Sequence, residues 1–232
     1  MSGTGVLLLL LLTSSIPVIA VFLWFRLARY PFSPVRFSAA LLAGAGSFFP
    51  ALLFQNLLAD INSAFWISGK WGPVANIFIR IALTEELSRL IVLAALFFAV
   101  SRFSRRKEPA EDAADVPAVT LAGAAGLIAG LGFAILESAV YGASYPGNTL
   151  LRAFTTAPLH GACGFRVGTS IEIWRKNPIR AVLRFLTAVV IHGVYNFMLQ
   201  TDVARFRIVA ILIALSALAA AAAAIRSGMR SE

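Results

Sequence analysis

IALTEELSRLIVLAA, residues Ile81–Ala95, decides the fold. It sets Glu85, Glu86 and Arg89 inside an apolar run long enough to cross a bilayer. An ionisable group at membrane depth costs at least about 2.5 kcal/mol, so these side chains need a polar interior to face. Glu137, His160 and His192 lie within three other apolar segments and supply the partners for such an interior.

Composition points the same way. Of 232 residues, 59% are hydrophobic and 13% charged, where a soluble domain has about a quarter charged. A net charge of +9 raises the question of nucleic acid. The basic residues, however, sit at the ends of apolar runs, which suits membrane orientation and not a phosphate-binding face, so no nucleic-acid partner is expected. The single cysteine, Cys163, excludes an internal disulfide and a cysteine-based zinc site. Within GACG it reads as a small packing residue rather than a nucleophile.

With about 20 apolar residues needed per crossing, the chain reads as an all-α polytopic bundle of about seven transmembrane helices. They are predicted at 4–25, 37–58, 73–101, 118–143, 149–173, 179–200 and 205–225. Pro17 is positioned to kink the first. That helix lacks a basic leader and is followed by Arg26 and Arg29, so it reads as a retained span and not a cleaved signal. Only SRFSRRKEPAEDAADVP, residues 101–117, reads as a solvated linker, which makes 1–232 a single integral membrane domain. Basic residues cluster in the first, third and fifth connections and in the tail, placing the N-terminus outside and the C-terminus in the cytoplasm. Arg205 and Arg207 dissent.

Two glycine patches stand out. Gly126 and Gly130 form a small-xxx-small pair that lets helices approach closely in lipid. Such a pair reads first as generic packing and second as a clamp holding Glu137 near the glutamates. Gly44 and Gly46 form a similar patch with no evident chemistry.

Helical spacing groups the polar residues. Arg89 lies within one turn of both Glu85 and Glu86, while those two point about 100° apart and cannot share one spot. Phe133, Glu137 and Tyr141 share a face, as do His192 and Asn196. Pro158 frees a backbone carbonyl close to His160. At about 1.5 Å per residue, all these groups can meet in the outer half of the membrane. Arg80, Arg89 and Arg166 are alternative, purely structural partners for the carboxylates.

A desolvated carboxylate can act as a general base on water, with histidines and Asn196 donating to an oxyanion. On the residues alone, intramembrane hydrolase and proton-coupled transporter both stand, and no internal repeat supports the transporter. EELSR (Glu85 to Arg89), FAILE (Phe133 to Glu137), His160 and HGVYN (His192 to Asn196) resemble, in order, the motifs of PrsW-type intramembrane proteases of the CAAX protease and bacteriocin-processing superfamily. Arg89 stands where that family usually has lysine, and Ser138 where it often has asparagine.

The resemblance spans roughly 80–200, the motif-bearing core. It implies a glutamic-type endopeptidase in the bacterial plasma membrane, acting on a membrane-anchored protein or peptide. In that reading Glu85 and Glu86 supply the base and Glu137 assists. His160, His192 and Asn196 position water or hold the oxyanion, and Arg89, Phe133 and Tyr141 support the site. Metal-free chemistry is the first expectation for the cofactor. Zinc on Glu86, Glu137, His160 and His192 is the alternative, since His and Glu ligands with an open position form a known catalytic set. A non-catalytic scaffold of the same fold is the other competing class.

Overall fold

The computed structural model describes residues 3–65, 71–104, 116–144, 149–201 and 203–229; every regular element among them is helical. The predicted linker lies largely outside these residues. The predicted first span is two helices, α1 (Gly3–Ser14) and α2 (Ile16–Leu27), meeting at 40°. Pro17 explains the break, because it has no amide to give the Thr13 carbonyl and so sits in the opening turn of α2. Helix α3 (Pro34–Gly46) begins with Ser33 accepting a 3.2 Å hydrogen bond from the Arg36 amide. Ser47 passes it on to α4 (Phe48–Phe65), and Pro34–Ala59 forms one candidate crossing.

The short α5 (Gly72–Ala75) runs into a π-helix, Asn76–Leu83, and then α6 (Thr84–Ser104). The long helices α7 (Ala118–Ser144), α8 (Thr149–Ile173), α9 (Pro178–Gln200) and α10 (Ala204–Gly228) complete the bundle. Four helices among the described residues are long and apolar enough to cross a membrane, or five if α1 and α2 count as one span. The expected count of seven is therefore not supported. Neither α6, which opens on Glu85, Glu86 and Arg89, nor α8, which carries Arg152, His160, Arg166 and Glu172, is among these candidates.

Helix α7 is the centre. Its apolar window is 78% buried, whereas the other candidate crossings are buried by 28–33% and keep broad outer faces for lipid. Ala122–Ala134 is buried without interruption and is mostly glycine and alanine, so neighbouring backbones come in close. A Cβ on Gly126 would overlap the Gly164 carbonyl of α8, and one on Gly130 would overlap the His160 carbonyl. Gly44 meets the Ala129 carbonyl from the other side, bringing α3 against α7. The glycine pair thus seats the backbone of a predicted site residue as well as packing two helices.

Gly130→Ala is expected to force α7 from α8 and cost about 1–3 kcal/mol, the usual range for overpacking. Gly46→Ala is the control, with nothing within 4 Å of the added methyl. Thermal unfolding in detergent checks both. Equal midpoints for the two variants would contradict the packing described.

Candidate active site

The site begins where the π-helix hands over to α6. Thr84 donates its hydroxyl to the Arg80 carbonyl at 2.6 Å, and Ser88 donates to the Thr84 carbonyl at 2.7 Å. These bonds serve backbone acceptors at a change of helical pitch, the kind of irregularity that recurs at functional sites. Glu85 and Glu86 follow in the first turn of α6, and both are buried.

Glu86 is fully engaged. One oxygen pairs with Arg89, and Oε1 accepts from His192 Nδ1 at 2.8 Å. Arg89 is itself wholly buried, with its guanidinium carbon 4.8 Å from the Phe133 ring centre. Its Nη2 lies 3.2 Å from His160 Nδ1. A guanidinium only donates, so His160 Nδ1 accepts and the ring proton sits on Nε2. Nε2 then donates to Glu137 Oε2 at 2.9 Å. In the same way, ionised Glu86 makes His192 Nδ1 a donor and turns Nε2 toward Glu85.

Glu85 differs from its neighbour. Its Oε1 accepts from the Gln55 side chain at 3.0 Å, while Oε2 is buried without a hydrogen-bond partner among the described residues. His192 Nε2 stands 3.6 Å from that oxygen, beyond hydrogen-bond range. The two imidazoles meet edge to face at 4.9 Å, and Phe133 packs 5.0 Å from His160. Glu137 is the outermost carboxylate, 19% exposed, and is held by Arg152 at 2.7 Å. Arg152 in turn lies 4.4 Å over the exposed ring of Tyr141.

Most of the predicted site residues therefore meet. Glu85, Glu86, Arg89, Phe133, Glu137, His160 and His192 form one connected cluster, with Tyr141 at its rim. Asn196 is half-buried one turn beyond His192 and makes no side-chain hydrogen bond among the described residues. Of the three arginines named as structural partners for the carboxylates, Arg89 does pair with Glu86, whereas the other two go elsewhere. Arg80 donates to the Gln55 carbonyl at 2.9 Å, and Arg166 donates to the Ala162 carbonyl at 3.0 Å. Cys163 is buried with Sγ 3.5 Å from the Ala188 carbonyl, a packing position between α8 and α9.

Three contributors escaped the sequence reading. Gln55 and Arg152 were visible as polar residues inside predicted apolar spans, which was the available signal. The third, a 3.1 Å bond between Thr156 and Tyr195, ties α8 to α9 one turn from both histidines. Tyr195 lies within the HGVYN motif, but nothing local pairs it with Thr156.

The donor set also suits a metal ion. Glu85, His160 and His192 each offer a ligand atom, and these atoms lie within 4.8 Å of one another. The unpartnered Glu85 oxygen lies 3.6 Å from His192 Nε2. Glu86 and Glu137 stand behind the histidines on their other nitrogens, as carboxylates do behind metal-bound imidazoles. The converging set thus contains Glu85, whereas the sequence-based donor set had Glu86 and Glu137. Arg89 holds Nδ1 of His160 here, so ligation through that nitrogen requires the guanidinium to let go.

A buried carboxylate–imidazole network inside a membrane bundle is the equipment of an intramembrane hydrolase. The chain belongs to the PrsW family: the model described as PrsW family intramembrane metalloprotease matches residues 34–222, from the start of α3 into α10. No curated protein and no solved structure matches it significantly. The protein is accordingly an enzyme, a membrane-embedded peptide hydrolase whose setting is the bilayer and whose substrate is a protein. The word metalloprotease agrees with the zinc alternative and lends no support to the metal-free expectation.

Proposed function

We propose that the protein is an intramembrane endopeptidase in which Glu85 is the water-activating base. The observation that carries this is the difference between the two glutamates. Glu86 has both oxygens occupied, while Glu85 keeps one buried oxygen open beside His192. A water hydrogen-bonded to Glu85 Oε2 and His192 Nε2 gives its proton to the carboxylate as its oxygen attacks the scissile carbonyl carbon. The oxyanion is held by the free Asn196 amide and by His192 when that ring carries both protons. Glu85 then returns the proton to the leaving nitrogen, the C–N bond breaks, and a carboxylic acid and an amine result.

His160 has both nitrogens engaged and serves to position Arg89 and Glu137. Arg89, Phe133 and Tyr141 support this arrangement. The basic loops favour an external N-terminus and a cytoplasmic C-terminus in a bacterial plasma membrane, with cleavage in the outer half. The substrate is a membrane-anchored protein or peptide.

A second reading rests on the converging ligand atoms of Glu85, His160 and His192. Zinc held there would supply Lewis-acid polarisation of the scissile carbonyl. Proteolysis of single-span peptides in proteoliposomes separates the two, with zinc content measured on the same sample. Under the glutamic reading, exhaustive chelation leaves the rate within about twofold and the purified chain free of stoichiometric zinc. Cleavage lost to chelator, restored by zinc and matched by one zinc per chain would transfer the site to metal chemistry.

A further inference from the structure

Arg152 stands at the rim of the site, about two turns before His160 on α8. Its guanidinium has more donors than partners. Nη2 comes within 2.7 Å of Glu137 Oε2, so the two charges are paired. Yet neither Nη2 nor Nε makes a hydrogen bond among the described residues, and both atoms are buried. The contact with Glu137 is therefore one of charge, with the N–H bonds directed past the carboxylate. Nε and Nη2 form one edge of the guanidinium, a planar fork of donors made for oxygen. Buried donors left open cost stability, and in a native protein such atoms mark places where a partner arrives.

The place of this fork says what can reach it. Glu137 Oε2 lies 2.9 Å from His160 Nε2, and ligand atoms of His160 and Glu85 lie within 4.8 Å of each other. At about 3.3 Å per residue, no more than about four residues of extended chain separate the fork from Glu85. A peptide strand with its scissile bond at Glu85 therefore reaches Arg152 with its own main chain. The Tyr141 ring covers one face of the guanidinium, 4.4 Å from Cζ, and is exposed. Turning that one side chain outward makes room for the strand. Charge then decides the partner's chemistry. Glu137 already balances the guanidinium, so a second carboxylate would meet it as a like charge. A main-chain carbonyl brings an acceptor and no net charge.

We infer that Arg152 is a substrate-positioning residue whose Nε–Nη2 edge donates to a main-chain carbonyl of the bound peptide, within about four residues of the scissile bond. This role rests on the proteolytic reading for the strand itself, and on nothing about which group activates water. Main-chain carbonyls are common to all peptides, so the anchor fixes the strand's place and not its sequence.

The test is peptide binding by the full chain in lipid nanodiscs, read by fluorescence anisotropy in a Glu85→Gln background that slows cleavage. The probe is a labelled single-span peptide of leucine and alanine with a central Gly-Pro pair, which leaves main-chain carbonyls without helical partners. Arg152→Lys keeps a positive charge against Glu137 but lacks the fork, and is expected to weaken binding about tenfold. Arg152→Gln combined with Glu137→Gln strands no charge and shows the same loss. Arg175→Lys, exposed in the turn after α8, leaves binding within about twofold. Esters in place of the amides around the break make weaker carbonyl acceptors. They should cost about threefold with Arg152 present and nothing further in Arg152→Lys. Four results would each overturn the inference: no binding of the amide probe, full affinity in both Arg152 variants, an equal ester penalty with and without Arg152, or much tighter binding of a probe bearing glutamate beside the break. The last would mark a carboxylate site. Cleavage of the probe by the Glu85→Gln chain appears as product by mass spectrometry and bears on the base alone.

Discussion

Glu85→Gln is expected to abolish peptide cleavage while leaving the protein folded. Glutamine is nearly isosteric and its carbonyl oxygen still accepts from Gln55, so the α4–α6 contact survives. What disappears is the open carboxylate oxygen beside His192. Loss of a general base usually lowers the rate by about 10²–10⁴, and the decrease should fall on kcat with KM little changed. Proteoliposome cleavage of a single-span peptide measures it, with far-UV circular dichroism and unfolding midpoint as controls. A Glu85→Gln protein that cleaves at a tenth of the normal rate or faster would remove Glu85 from the role of base and leave Glu86 or His192 to fill it.

Arg89→Met has the largest effect expected on stability. The guanidinium joins Glu86, His160 and the Phe133 ring at a point with no solvent exposure. Its removal leaves the buried Glu86 charge with the His192 hydrogen bond alone and no guanidinium opposite it, and breaking a buried pair on one side costs about 3–5 kcal/mol. Adding Glu86→Gln removes the stranded charge, and the double variant should recover a good part of that loss. Urea unfolding in detergent micelles gives both values. A double variant less stable than Arg89→Met would mean that Glu86 stabilises through His192 and not through Arg89. Arg89→Lys is the informative intermediate: one ammonium reaches Glu86 but lacks the fork that also engages His160.

Much of this was legible before any coordinates. An ionisable side chain in an apolar helix has few tolerable destinations, so Glu85, Glu86, Glu137, His160 and His192 declared a common interior by their cost alone. Arg89 was readable from helical spacing, and Phe133 from its position one turn before Glu137. What stayed hidden has two physical sources. Gln55 is an uncharged residue among several polar ones, and nothing local says that it faces α6. The number of crossings failed for a related reason. A window of apolar residues does not register that the chain bends at Pro17, changes pitch over Asn76–Leu83, or gives α8 to the polar interior.

Which glutamate is free was also beyond the sequence. Adjacent residues carry the same chemistry, and only the positions of Arg89, His192 and Gln55 distinguish them. The same holds for the metal donors, because the choice between Glu85 and Glu86 depends on which carboxylate oxygen is left unpaired.

The scarcity of side-chain volume along the middle of α7 sets the molecule's stiffness. Where Gly126 faces Gly164 and Gly130 faces the His160 carbonyl, the chains touch through their backbones and have no rotamers to rearrange. That seam resists opening, so a substrate strand reaching Glu85 must deform something else. Helix α4 meets the site through polar bonds from Gln55 to Glu85 and from Arg80 to the Gln55 carbonyl. An incoming peptide carries the amides and carbonyls to replace both. The compliant side of the site is therefore α4, and the rigid one is the glycine seam behind the histidines.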